Sequence, residues 1–165
     1  MILTRRDTLT WAGAAATGLA LPAVLPARAA DPVVHEVQML NAHPENKKDL
    51  MVFFPNIVRA KPGDVVKFLA VDKNHNSEAF KKMLPDGVDR WKSKLGKDFE
   101  LTVETEGAYG YFCTPHKSYG MVGLILVGDV SANYEALKGV RQRGKAKGRF
   151  AAIFEEADAL LAAEA

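Results

Sequence analysis

Between Pro32 and Val127 the chain alternates short apolar runs with turn residues, and the period of each run sets the element expected there. Val33 to Leu40 alternates well enough for a half-buried strand. A polar loop from Asn41 to Asp49 separates it from a second strand, Leu50-Met51-Val52-Phe53-Phe54. Pro62-Gly63-Asp64 predicts a turn leading into Asp64 to Val71, where β-branched residues dominate. Ser77 to Leu84 carries a short helical pattern ended by Pro85-Asp86-Gly87. Phe99 to Glu104 alternates strictly, which predicts a strand with one solvated face. Glu106-Gly107 predicts a turn before a strand over Tyr109–Cys113. Met121 to Val127 is continuously apolar, as expected of a strand covered on both sides. This regular spacing of turns predicts a mainly all-β chain, a β-sandwich with Greek-key connections.

The period changes after Val127. Ser131-Ala132-Asn133-Tyr134-Glu135-Ala136-Leu137 opens with a capping serine and predicts a helix. A basic, glycine-containing spacer, Gly139 to Arg149, follows. Beyond it Phe150, Ile153, Phe154, Ala157, Leu160 and Leu161 recur at helical spacing, with Glu155, Glu156 and Asp158 opposite. The expectation is an amphipathic helical extension over about residues 131–163, packed on the sandwich, because so short a stretch cannot bury a core alone.

The other end reads as an address. Arg5-Arg6 precedes an apolar, alanine-rich run from Trp11 to Leu25 and a small-residue cleavage motif, Ala27-Arg28-Ala29. This predicts a twin-arginine-type signal peptide over residues 1–30, cleaved near Ala29 or Ala30, with export to the periplasm. The run is too short and too rich in glycine and alanine to span a membrane well. Residues 31–165 then form one domain. Removing Arg5, Arg6, Arg28 and Asp7 takes the charge balance from 22 basic against 20 acidic residues to 19 against 19. A neutral domain has no bulk attraction for nucleic acid, and with the signal gone no membrane is expected as a partner.

One cysteine excludes an internal disulfide, so Cys113 is a buried spectator, a reactive thiol or a metal ligand. Its context favours the last. Cys113 is followed by His116 and then by Met121 on a loop between two predicted strands, and His75 stands upstream in Asp72-Lys73-Asn74-His75-Asn76. A thiolate, two imidazoles and a weak thioether make the His2Cys set with axial Met that suits one copper ion cycling between Cu(I) and Cu(II). Pro115 stiffens the loop, and Asn76 is placed to tie the upstream loop to the cysteine loop by hydrogen bonds. Structural zinc fits poorly, since a methionine stands where a fourth Cys or His is usual. Two other readings stay open: a copper-binding or delivery protein without a redox role, and a hydrolase with Cys113 as nucleophile and His116 or His75 as base. His35 and His43 lack comparable context.

Cys113-Thr114-Pro115-His116 through Gly120-Met121, with the stretch Asp72 to Asn76, resembles the type 1 blue copper site of the cupredoxin family. Val58 to Asp64, Met83 to Gly87, Lys92-Ser93-Lys94 and the two C-terminal helical stretches make the chain most similar to the pseudoazurin branch. The resemblance implies about eight strands with two C-terminal α-helices, and copper held by His75, Cys113, His116 and Met121. It implies an electron carrier rather than an enzyme, a monomer fed by a cytochrome and serving a denitrification enzyme such as copper nitrite reductase. It also places Met51 beside His116. Lys117-Ser118-Tyr119 departs from the more apolar run usual at that place. In such a fold the edge of His116 is the exit for electrons. Lys47, Lys48, Lys81, Lys82, Arg90, Lys92, Lys94, Lys97 and Lys117 are then candidates for a basic ring that docks an acidic partner.

Overall fold

The computed structural model describes residues 31–164, and the predicted signal peptide lies outside them. Eight strands form two four-stranded sheets. The first holds, in spatial order, β2 (Leu50–Phe54), β1 (Val34–Ala42), β4 (Asp64–Leu69) and β6 (Phe99–Val103). The second holds β3 (Ile57–Ala60), β8 (Val122–Val127), β7 (Gly107–Phe112) and β5 (Glu78–Ala79). β1 runs parallel to β4 and β3 parallel to β8, while the other pairs are antiparallel. From β2 to β7 each consecutive strand therefore lies in the other sheet, while β1–β2 and β7–β8 pair within one sheet, as in Greek-key sandwiches.

The alternation in sequence becomes two faces. In β4, Val66 and Phe68 enter the core while Val65 and Lys67 stay half-exposed. They meet Val37, Met39, Phe53, Val103, Tyr109 and Tyr111 from the neighbouring strands. Tyr111 lies edge-on to Phe53 and Phe68, with ring centroids 4.8 and 5.1 Å away, spacings at which aromatic pairs add to plain burial.

β8 is buried along its whole length, for a reason its sequence could not reveal alone. Ile125 and Val127 face the space between the sheets, whereas Val122, Leu124 and Leu126 face a second apolar layer made by α1 (Tyr134–Lys138) and α2 (Lys145–Glu164). α2 contributes Ala146, Phe150, Ile153 and Ala157, one stripe of a 3.6-residue period.

Three local expectations differ from the structure. Ser77 to Leu84 is not helical: Glu78–Ala79 is a strand paired with Tyr111 and Phe112, and a turn follows. The Ala79 N–H is given to the Trp91 carbonyl and the Phe80 N–H to that of Gly110, so partners remote in sequence override the local pattern. The residue before α1 is Asn133 rather than Ser131, and its side chain bonds Ala108 of β7 instead of capping the helix. α2 begins at Lys145, inside the predicted spacer, because Ala146 already packs on the apolar layer.

Candidate metal centre

Cys113 follows β7 and Met121 precedes β8, so the antiparallel pairing of those strands brings both ends of the intervening loop together. The Cys113 N–H donates to the Met121 carbonyl at 3.0 Å. Inside the loop the His116 carbonyl accepts from the N–H groups of Tyr119 and Met121 at 3.0 and 3.2 Å. A 3-10 turn, Lys117–Tyr119, completes it, and Gly120 closes that turn at φ 88°, in the left-handed region where glycine is at ease. A Cβ there would also press on the Lys145 carbonyl at 3.3 Å, so the start of α2 backs the loop.

The fourth residue of the proposed set arrives from the other sheet's connection. Asn74 takes a left-handed turn, φ 67°, before His75, and the His75 carbonyl accepts from the Gly96 N–H at 2.8 Å. The donor atoms then converge. Cys113 Sγ lies 3.8 Å from His75 Nδ1 and 3.6 Å from His116 Nδ1, and the two Nδ1 atoms are 3.0 Å apart. Met121 is fully buried in the same apolar cluster as Cys113.

These distances suit a metal ion. A point equidistant from the three atoms lies about 2 Å from each, close to metal–nitrogen and metal–thiolate bond lengths. The protonation pattern agrees. His75 Nε2 is 3.1 Å from Asn41 Oδ1, which only accepts, so Nε2 carries the proton and Nδ1 offers its lone pair to the cluster. Asn41 is held in turn by Asp72, whose carboxylate accepts its N–H at 2.7 Å. Burial, reinforced by the neighbouring His116 imidazole and opposed by Asp72, holds His75 down at about 4, which keeps the ring neutral and able to ligate at physiological pH. Burial pushes the Cys113 thiol up against the pull of the Asn76 and His116 N–H groups. A wholly buried thiol with a raised pKa is a poor nucleophile, whereas a bound cation deprotonates it outright. The hydrolase reading loses its support here.

Asn76 joins the two loops. Its Oδ1 accepts from the Thr114 N–H at 2.8 Å, and its Nδ2 donates to Thr114 Oγ1 at 3.0 Å and to the Ser93 carbonyl at 3.2 Å. Pro115 is exposed on the loop, and Met51 is half-buried on β2 against the core that contains Cys113 and Met121. Asn41, Thr114 and Glu78 were not singled out in the sequence. Asn41 and Glu78 act on partners more than thirty residues away, and nothing in their own neighbourhoods marks them.

Of the basic residues, Lys81, Lys82, Arg90 and Lys117 line one groove together with Arg141, Phe80 and Phe112. Lys117 Nζ stands 4.3 and 4.6 Å from the ring centroids of Phe80 and Phe112, so its ammonium sits over an aromatic floor. Arg90 and Lys92 are engaged with Glu78 at 2.9 and 3.2 Å. Lys47, Lys48, Lys94 and Lys97 are exposed.

Residues 38–128 match the family model described as copper binding proteins, plastocyanin/azurin family. The chain is similar to the pseudoazurin of Paracoccus pantotrophus, 49% identical over 138 residues that cover 84% of this chain and 90% of the relative. It is 43% identical to the pseudoazurin of Methylorubrum extorquens, over 87% of this chain and 93% of that one. The crystal structure of pseudoazurin from Methylobacterium extorquens AM1 superposes with a TM-score of 0.71 at 42% identity, covering 75% of this chain and 98% of that one. The chain belongs to the plastocyanin/azurin family of copper-binding proteins and, within it, to the pseudoazurins, which carry electrons on one copper and are not enzymes.

Proposed function

We propose that the protein is a periplasmic shuttle for single electrons, that its copper is held by His75, Cys113, His116 and Met121, and that it delivers electrons to a denitrification enzyme such as copper nitrite reductase after reduction by a cytochrome. The observation that carries this reading is the convergence of Cys113 Sγ with the Nδ1 atoms of His75 and His116 within 3.8 Å, on two loops that the protein holds by its own hydrogen bonds. Copper bound there supplies the one-electron couple. The chain's own part is to resist rearrangement. Cu(I) and Cu(II) prefer different geometries, and a loop locked by its backbone and by Asn76 suits neither fully, so little has to move when the charge changes.

His116 is the partly exposed member of the set, while His75 and Cys113 are buried. That difference supports His116 as the contact to a partner. The basic residues gathered by the groove at Lys81, Lys82 and Lys117, with Lys47, Lys48, Lys92 and Lys94 elsewhere on the surface, support an acidic docking partner and a brief complex formed by a monomer. Full burial of Cys113 speaks against a labile delivery site, which needs its thiolate within reach of an acceptor. The twin-arginine pattern at Arg5-Arg6, with its cleavage motif, supports removal of residues 1–30 on export and a single domain over 31–165. Among the described residues no helix is long and apolar enough to cross a membrane.

The test is the visible absorption spectrum of the exported protein with one equivalent of Cu(II). An intense thiolate-to-copper band that disappears in Cys113→Ser, with slow metal release, is the expected result. A colourless complex, or one that exchanges its copper within seconds, would remove electron transfer at this site.

A further inference from the structure

Glu78 is a buried carboxylate to which neither the ligand set nor the core gives a task. Only 9% of the residue is exposed, at the start of β5. Its Oε1 accepts from Arg90 Nη2 at 2.9 Å, and its Oε2 lies 3.2 Å from Lys92 Nζ and 2.7 Å from Thr114 Oγ1. A deprotonated carboxylate only accepts, so the single hydroxyl proton of Thr114 points to Glu78. Thr114 Oγ1 is then an acceptor on its other side, and Asn76 must meet it with Nδ2 rather than Oδ1. That choice leaves Oδ1 for the Thr114 N–H. The Ser93 carbonyl and the Thr114 N–H require the same orientation of the Asn76 amide, so the charge on residue 78 fixes the one remaining direction, that of the Thr114 hydroxyl, in agreement with them.

The frame around Glu78 is stiff. The neighbouring Ser77 N–H donates to Ser93 Oγ at 2.9 Å, Trp91 Nε1 donates to Ser77 Oγ at 2.9 Å, and residue 78 bridges to Lys92. Arg90 and Lys92 hold the outer side of the carboxylate, and Thr114, directly after Cys113, holds the inner side. A fixed negative charge so placed favours the more highly charged state of a nearby metal ion.

We propose that Glu78 is a positioning residue of the copper site, which orients the Thr114–Asn76 bridge between the Cys113 and His75 loops and biases the site toward the oxidised ion. This rests on the ligand set proposed above.

The test compares Glu78→Gln, Lys92→Gln, Thr114→Val and Thr114→Ser by two readouts. One is the reduction potential of the copper-loaded protein; the other is the NMR signal of the Asn76 side-chain amide in the metal-free protein. Glu78→Gln should raise the potential and move the amide signal. Lys92→Gln should lower the potential, since it leaves the negative charge less compensated. Thr114→Val should move the amide signal, and Thr114→Ser, which keeps the hydroxyl, should change neither readout. An unchanged or lowered potential in Glu78→Gln, or an amide signal indifferent to Thr114→Val, overturns the proposal. If Glu78→Gln does not fold, a potential in Lys92→Gln equal to or above that of the parent overturns it instead. A parent protein without thiolate-to-copper absorption would defeat the ligand assignment, while the metal-free amide signal would still judge the orienting role of Glu78.

Discussion

Asn76 and Thr114 grip each other by two hydrogen bonds of opposite sense: the Thr114 N–H reaches Asn76 Oδ1 at 2.8 Å, and Asn76 Nδ2 reaches Thr114 Oγ1 at 3.0 Å. One residue follows His75 and the other follows Cys113, so this grip is the shortest link between the two halves of the site that needs no metal. Asn76→Ala leaves the Thr114 amide and the Ser93 carbonyl without their partner. A loss of about 2–3 kcal/mol is expected in the urea unfolding of the metal-free protein. Copper should also leave faster from the variant. Equal unfolding midpoints in parent and variant would show that the loops meet without this bridge.

Tyr111 and Gly123 face each other across β7 and β8, and they make opposite predictions. The Tyr111 hydroxyl is buried with no hydrogen-bond partner among the described residues, and burial raises its pKa accordingly. Tyr111→Phe removes an unsatisfied group and keeps the ring that packs on Phe53 and Phe68, so stability should stay level or rise by about 1 kcal/mol. At Gly123 a methyl group would fall on the Tyr111 ring, which is fully enclosed and has no room to turn away. Gly123→Ala should therefore cost about 2 kcal/mol or more, read from the thermal midpoint.

Much of this was legible in the chain itself, where local patterns coincide with what the fold demands. β4 and β6 alternate because one face meets the core. Cys113 and His116 share one loop, so their convergence needs only the hairpin-like pairing of β7 and β8 that closes it. His75 is farther away, yet Asn76 beside it hinted at the bond to Thr114 that the structure contains. The misses have one cause, namely long-range partners. β5 is two residues long and exists because Tyr111 and Phe112 pair with it. β3 is four residues long, too short for a period, and owes its direction to β8. The first turn of α2 is mostly charged, and only Ala146 and then Phe150 face inward. Asn41 ends a strand like any polar residue, and its contact with His75 spans 34 positions.

Asp64 gives the fold a defined sensitivity to acid. Its carboxylate accepts from the Val33 and Lys61 N–H groups at 2.9 and 2.8 Å and lies 2.9 Å from His35 Nε2. The bond to His35, helped by the two backbone N–H groups and opposed by burial, holds Asp64 down at about 2, against 3.8 for an unperturbed side chain. A carboxyl group with a depressed folded-state pKa stabilises the protein at pH values above the unfolded one, and that contribution fades as pH falls toward the folded one. Asp64→Asn should cost about 1–2 kcal/mol between pH 5 and 7, measured by urea unfolding, with the gap to the parent narrowing below about pH 4. A gap that stays constant down to pH 3 would mean that shape rather than charge matters at this position.

The basic surface yields a prediction that separates lysines by what they already touch. Lys92 faces Glu78 at 3.2 Å, so part of its charge is neutralised within the protein. Lys81 and Lys82 are exposed at the groove that also contains Lys117 and Arg141, and no carboxylate lines that groove. A charge with no internal partner contributes more to the field an approaching acidic protein feels. Electron transfer to copper nitrite reductase, followed by stopped flow, should therefore slow several-fold as ionic strength rises from about 0.05 to about 0.5 M, as the Debye length shrinks below the size of the patch. At low ionic strength Lys81→Gln and Lys82→Gln should each slow the bimolecular rate more than Lys92→Gln, and the three parent-to-variant differences should converge at high salt. A rate indifferent to salt would remove electrostatic docking, and equal effects of all three substitutions would show that the Glu78 pairing does not shield Lys92 from the partner.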